Sequence, residues 1–219
     1  MKAGSGLAAF KVIIYDCDGV LIDSRRANAA FYNHILERFG LGPLTPQQLD
    51  FVHSSTASQA VNFLFQGTPW RAAAQDYQRH IDNRPFLSLL STEPHIRDVL
   101  ASLRPSYHTA IATNRGKSLP LVLKELGLEG LFEMTVGSYD VKNPKPHPEC
   151  LWKIIEHFQV APGEAMYIGD SPVDLEVSKR AGVVFVAYKN PELEAAFHLQ
   201  DHRELLKILV PGSSFKVQS

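Results

Sequence analysis

Two aspartates one residue apart, in the run Asp16-Cys17-Asp18-Gly19-Val20-Leu21-Ile22-Asp23-Ser24, are the first residues of the chain able to do chemistry. Carboxylates that close repel each other unless a proton or a cation relieves them. The competing account is an ordinary turn, in which an aspartate caps the chain and the glycine permits a positive φ. Three later stretches share the polar character: Thr113-Asn114-Arg115-Gly116, Lys145-Pro146-His147-Pro148, and Gly169-Asp170-Ser171-Pro172-Val173-Asp174. Each has a structural reading as a helix cap, a solvated loop or a capped helix start. Together they offer a carboxylate pair, a hydroxyl with an amide, an ammonium group and further carboxylates. Such a set suits a phosphate group and a hard divalent cation held on one rim.

The elements that must position these residues follow from hydrophobic pattern. Lys11 to Tyr15, Tyr107 to Thr113, Met134 to Gly137, Ala165 to Gly169 and Val183 to Tyr188 are short apolar runs of the kind that form buried parallel strands. Each polar stretch follows one of them, where an open parallel sheet binds its ligands. Between the runs, helical spacing places Leu121, Val122, Glu125 and Leu126 before Gly127, and Leu151, Ile154, Ile155 and Phe158 on one face. A helix from Asp174 to Ala181 stops at Gly182. The alternation predicts parallel strands joined by crossover helices.

Ser24 to Leu90 breaks the alternation and is predicted to be a helical insertion without strands. Ser24 is the expected N-cap of a helix carrying Ala27, Phe31, Ile35 and Phe39 and stopping at Gly40, and Thr45-Pro46 and Thr68-Pro69 are expected to open two more. Phe63, Phe65, Trp70 and Tyr77 are expected to form its small core. Thr92-Glu93-Pro94 is expected to open the helix that returns to the sheet. The division is therefore a discontinuous core, 1–23 and 91–219, and an insertion, 24–90.

The 219 residues carry 22 Lys and Arg against 23 Asp and Glu, a formal net charge of -1. That balance argues against a dedicated nucleic-acid or membrane-surface binder. Cys17 and Cys150 are too few for a disulfide framework. Met1 to Phe10 lacks the apolar stretch of a secretory signal, and no apolar run approaches the ~20 residues that cross a bilayer. The expectation is a cytoplasmic protein whose tail from Pro211 to Ser219 frays.

The four motifs, in this order, resemble those of the haloacid dehalogenase superfamily, in its branch of phosphohydrolases with a helical cap after the first strand. The resemblance spans nearly the whole chain. It implies an α/β fold, a Rossmann-like open parallel sheet core with an inserted all-helical cap domain, and Mg²⁺-dependent hydrolysis of a small phosphate monoester. By the same resemblance Asp16 is the nucleophile that becomes an aspartyl-phosphate, and Asp18 protonates the departing oxygen and then activates water. Crowding by carboxylates is expected to raise the proton affinity of Asp18. Thr113, Asn114 and Lys145 would hold the phosphoryl oxygens. Asp16, Asp18 through its backbone carbonyl, and Asp170 would bind Mg²⁺, with Asp174 a further ligand or a group that orients the others.

Details prune the family. Asp18 argues against halide displacement, and the absence of lysine between Ser24 and Leu90 argues against phosphonate chemistry through a cap Schiff base. Val20 resembles the β-phosphoglucomutase branch, but that branch carries an acidic residue where this chain has Gly169, which favours a phosphoglycolate phosphatase-like hydrolase over the mutase. Substrate contacts are expected from His53 and Ser54 in the cap and from Arg115. A non-enzymatic phospho-acceptor switch is the reading from another class; such domains are about half this length and lack a cap. A small-molecule phosphate ester is the expected partner, with no nucleic acid and no membrane, and the chain a monomer or homodimer whose cap hinges near Ser24 and Leu90.

Overall fold

A computed structural model describes residues 10–209, so the tail from Pro211 lies outside the described residues. In chain order the elements are β1 (Val12–Tyr15), β2 (Ile22–Asp23), α1 (Arg25–Arg38), α2 (Pro46–Ser54), α3 (Ala57–Leu64), α4 (Arg71–His80), α5 (Arg84–Leu87), β3 (Ser91–Thr92), α6 (Ile96–Leu103) and β4 (His108–Ala112). They continue with α7 (Leu119–Glu125), β5 (Met134–Val136), α8 (Glu149–His157), β6 (Ala165–Gly169), α9 (Pro172–Ala181), β7 (Val184–Tyr188), β8 (Phe197–Leu199) and α10 (Arg203–Leu209). The main sheet has six strands in the order β5-β4-β1-β6-β7-β8, every pair parallel.

Strand β1 is central and buried throughout. Its side chains alternate, Ile13 and Tyr15 entering the apolar cluster on one face, Val12 and Ile14 the cluster on the other. Burial on both faces is why these strands read as unbroken apolar runs. The chain builds outward from β1 through β4 to β5, then crosses to β6 on the opposite side. The carboxyl ends of β1, β4 and β6 therefore face a topological switch point, the crevice where open sheets of this kind bind ligands.

The insertion holds α1 to α5 and no strand among its described residues. It buries its own cluster of Tyr32, Ile35, Leu36, Val52, Ala60, Val61, Leu64, Phe65 and Ala74. Of the expected core aromatics, Phe65 and Tyr77 take part, whereas Phe63 and Trp70 are 39% and 48% exposed. The entering and leaving connections pair with each other as an antiparallel ribbon, Ile22 opposite Thr92 and Asp23 opposite Ser91. That ribbon and edge strand β8 are absent from the sequence reading, their two or three residues being too short to show a period.

Cap signals fare unevenly. Thr45 opens α2 with a capping box to Gln48, as expected, and Thr56 opens α3 with another to Gln59. Thr68 does not open α4. Its hydroxyl donates to the Phe65 carbonyl at 2.9 Å, closing the previous turn, and the helix starts at Arg71. Ser24 precedes α1 but makes no cap bond, because its hydroxyl donates to Asp18 instead. At Thr92-Glu93-Pro94 the helix is delayed to Ile96 behind His95 at φ 62, while Glu93 accepts from Tyr188 and Lys189. No helix among the described residues is long and apolar enough to cross a membrane.

Candidate active site

Strand β1 delivers Asp16, 7% exposed, to the crevice. The chain then turns at Gly19, whose φ is +82 and whose N–H donates to the Ile22 carbonyl at 2.8 Å. A Cβ on Gly19 would lie 2.1 Å from Asp170 Oδ2. Glycine is thus required both by the left-handed backbone and by the carboxylate that β6 sends against the turn. Cys17 faces away into the apolar cluster, as strand alternation predicts.

Strand β4 delivers Thr113 and Asn114, both buried. The Thr113 hydroxyl accepts from the Arg115 N–H at 3.1 Å. The Asn114 amide donates to the Lys145 carbonyl at 3.2 Å and to the Ser54 carbonyl at 3.1 Å, tying core, loop and insertion at one point. Lys145 comes from the loop before α8 and is 4% exposed. Its ammonium donates to Asp174 Oδ1 at 2.7 Å and to the Tyr167 hydroxyl at 2.9 Å. Asp16 Oδ1 forms an ion pair with the same ammonium at 2.9 Å, and no other donor reaches that buried oxygen.

Asp174 lies fully buried beneath the others. Lys145 and Tyr167 occupy one of its oxygens; the Ser171 N–H and hydroxyl, at 3.1 and 2.6 Å, occupy the other. One oxygen from each of Asp16, Asp170 and Asp174 falls within 4.8 Å of the other two.

Burial acts on every charge here, and partners decide the outcome. Burial lifts Asp16 to about 7, against the pull of Lys145 and with help from Asp174 and Asp18. Asp170, without a cation of its own, is lifted by burial and by Asp174 and Asp16 to about 8. For Asp174 burial is overcome by Lys145, Ser171 and Tyr167, which hold it below the usual carboxylate range. Burial would discharge Lys145, but Asp16 and Asp174 outweigh it and keep the ammonium charged. Asp18 departs from expectation. Arg115 grips it from both sides, Nε donating to Oδ2 at 3.0 Å and Nη2 to Oδ1, and Ser24 adds a third bond. These partners overcome burial and depress Asp18, so the high proton affinity falls on Asp16 and Asp170.

The acidic pocket is lined by Asp16, Asp18, His53, Ser54, Thr113, Asn114, Lys145, Asp170 and Ser171. Of the residues singled out from sequence, Arg115 touches it through Asp18 and Asp174 supports it from below. His53 is oriented by the Asn28 amide, 3.0 Å from Nδ1, and burial lowers its proton affinity. Sequence reasoning missed Tyr167. It sits in an apolar strand two residues before Gly169, and only that same-face spacing hints that its hydroxyl reaches the site.

Fold and site together define a doubly wound α/β protein with an acidic, cation-balanced centre at the sheet's switch point, under a helical cover. The chain belongs to the haloacid dehalogenase-like hydrolase family, whose profile matches residues 13–188. It is 26% identical over 178 residues to a phosphorylated carbohydrates phosphatase of Thermotoga maritima, covering 79% of this chain and 82% of the relative. It is also 26% identical over 174 residues to a phosphoglycolate phosphatase of Aquifex aeolicus, covering 78% and 81%. A HAD-superfamily hydrolase, subfamily IA, variant 1, from Geobacter sulfurreducens superposes with a TM-score of 0.75 at 37% identity, over 95% of this chain and all of that one (100%).

Proposed function

We propose that the chain is a Mg²⁺-dependent phosphomonoester hydrolase that works through an aspartyl-phosphate on Asp16, with a small-molecule phosphate ester as substrate. The observation that carries this is the Asp16 carboxylate at the end of the central strand, with Oδ1 buried and met by the Lys145 ammonium alone, at 2.9 Å. A carboxylate whose one close partner is an ammonium keeps lone pairs available to phosphorus or to a cation.

A hard divalent cation fits the same donors. Asp16 and Asp170 would hold it with the Asp18 carbonyl, while Asp174, its oxygens already taken by four protein donors, orients Lys145 and the Ser171 turn. When bound, it would offset phosphate charge and draw the protons from Asp16 and Asp170. Lys145, Thr113 and the Asn114 N–H would hold the phosphoryl oxygens as charge redistributes. Asp16 attacks phosphorus in line, forming one P–O bond as the ester P–O bond breaks. The departing oxygen takes its proton from Asp18, which must first leave Arg115 and take up a proton from solvent. Asp18 then takes a proton from the water that cleaves the aspartyl-phosphate, returning Asp16 and releasing phosphate.

Residues 24–90 serve as the cap domain and 1–23 with 91–219 as the core, a division supported by the insertion's own buried cluster and by the ribbon β2–β3 at its neck. The cap would hinge at that neck and close over the rim. Two unpaired buried cysteines suit a reducing cytoplasm, in which the enzyme would act as a monomer or homodimer. Phosphatase is favoured over mutase because a Cβ at Gly169 would lie 2.3 Å from Asp174 Cβ, so the acidic residue of the mutase pattern has no room. The test is phosphate release from p-nitrophenyl phosphate with and without Mg²⁺. Release should require the cation and vanish in Asp16→Asn; retention of turnover in that variant would remove Asp16 from the chemistry.

A further inference from the structure

Beside the acidic pocket, between the insertion and the rim of the sheet, lies a cavity of about 350 Å³. The two share His53 and Asn114. Granted the phosphatase reading, an ester whose phosphorus faces Asp16 must direct its leaving group into this space. At about 30 Å³ per water the volume is that of roughly twelve waters, near the lower end of cavities that enclose ring-bearing ligands. A two-carbon acid would leave most of it wet.

The lining is specific in two respects. The cap side is aromatic, Phe31 standing edge-on to Tyr32 and to Phe86 with centroids 5.1 and 5.4 Å apart. The core side presents the Tyr139 ring, 61% exposed, packed so closely on Gly116 that a Cβ there would lie 2.4 Å from Tyr139 Cε2. In charge the cavity is one-signed: Arg79, Arg115 and Lys117 line it, and no Asp or Glu does. Arg79 is paired with Asp76 at 3.1 Å and Arg115 with Asp18. Lys117 makes no ion pair among the described residues; its ammonium stands over the Tyr139 ring, 5.6 Å from the centroid.

We propose that the leaving group of the substrate combines an apolar, ring-sized body with a second anionic group, the body packing on the aromatic walls and the anion meeting Lys117. A lone, exposed ammonium at the edge of a cavity lined by both polar and aromatic side chains is stabilised by an incoming anion, whereas a neutral tail gains only the packing. Small anionic esters lack the body, and neutral sugar phosphates lack the charge.

The test compares kcat/KM of the full chain with Mg²⁺ on 3-(4-phosphonooxyphenyl)propanoate, its methyl ester, the analogue whose carboxylate is replaced by a second phosphate, and 2-phosphoglycolate. The acid or the bisphosphate should exceed both the methyl ester and phosphoglycolate about tenfold, chiefly through KM, and whichever gains more identifies the anion as carboxylate or phosphate. In Lys117→Gln the ratio of acid to ester should fall toward one. If acid, bisphosphate and ester are equal, or phosphoglycolate is preferred, while p-nitrophenyl phosphate is still hydrolysed, this specificity is wrong and the phosphatase reading stands. If p-nitrophenyl phosphate is not hydrolysed either, both fall.

Discussion

Asp174 is the residue on which the arrangement of charges turns, although it faces no solvent. Its carboxylate is the only group in the site with every acceptor position filled by a named donor, and through Lys145 it fixes the cation that faces Asp16. Asp174→Asn keeps the shape but replaces an acceptor oxygen with a donor and removes the charge opposite a buried ammonium. Removing one partner of a buried pair costs about 3–5 kcal/mol; because Lys145 retains Asp16, a loss near 3 kcal/mol is expected. Urea unfolding at unchanged m-value should report it, together with a large fall in kcat. A loss below about 1 kcal/mol would mean that the lysine is satisfied without Asp174. Neither Tyr167 nor the Arg115–Asp18 pair was legible at this scale. A tyrosine within an apolar run reads as core, and an arginine's partner at a separation of 97 residues is a product of the fold.

Among the elements, the turn between β1 and β2 joins backbone geometry to chemistry most directly. Gly19→Ala forces a Cβ into a left-handed residue, at a cost of about 1–2 kcal/mol, and onto Asp170 Oδ2. Stability should therefore fall by about 1–2 kcal/mol while the Mg²⁺ concentration giving half-maximal activity rises at least tenfold; an unchanged requirement would show that Asp170 is not held by that contact. The strands bearing the site were readable because parallel strands buried on both faces are continuous apolar runs, and the polar residues stand immediately after them except for Lys145, which follows β5 by a loop. Thr45-Pro46 was readable as a helix start because a threonine cap precedes proline at the first helical position, and Gln48 completes its capping box. Thr68-Pro69 carries the same signal but is overridden by the Phe65 carbonyl, an acceptor three residues back that local pattern does not rank. The ribbon β2–β3 joins segments at either end of the insertion, and no local period encodes that pairing.

For the molecule as a whole, assembling the site concentrates carboxylates that would rather keep their protons. Asp16 and Asp170 ordinarily titrate near 3.8, but in the fold their values rise to about 7 and about 8. Between those limits the folded state binds more protons than the unfolded chain, so without a divalent cation stability falls as pH rises, and the stabilisation present in acid is gone once pH passes about 8. The depressed carboxylates Asp18 and Asp174 have finished titrating well below this range, whereas His202, lowered to about 4, and His53, lowered by burial, bind fewer protons folded than unfolded near pH 6.5 and offset part of the loss. From pH 6.5 to 8 the cation-free protein should lose on the order of 1–2 kcal/mol. Mg²⁺ requires deprotonated ligands, so its affinity should climb over the same interval and return that loss by mass action. Thermal melts at both pH values, with EDTA and with Mg²⁺, should give a Tm that drops with pH in the first case and holds or rises in the second. In Asp16→Asn the drop with EDTA should shrink, since one of the two titrating groups is gone. A cation-free Tm that rose steadily to pH 8 would place the protons elsewhere and dissolve the electrostatic case for a cation between strands β1 and β6.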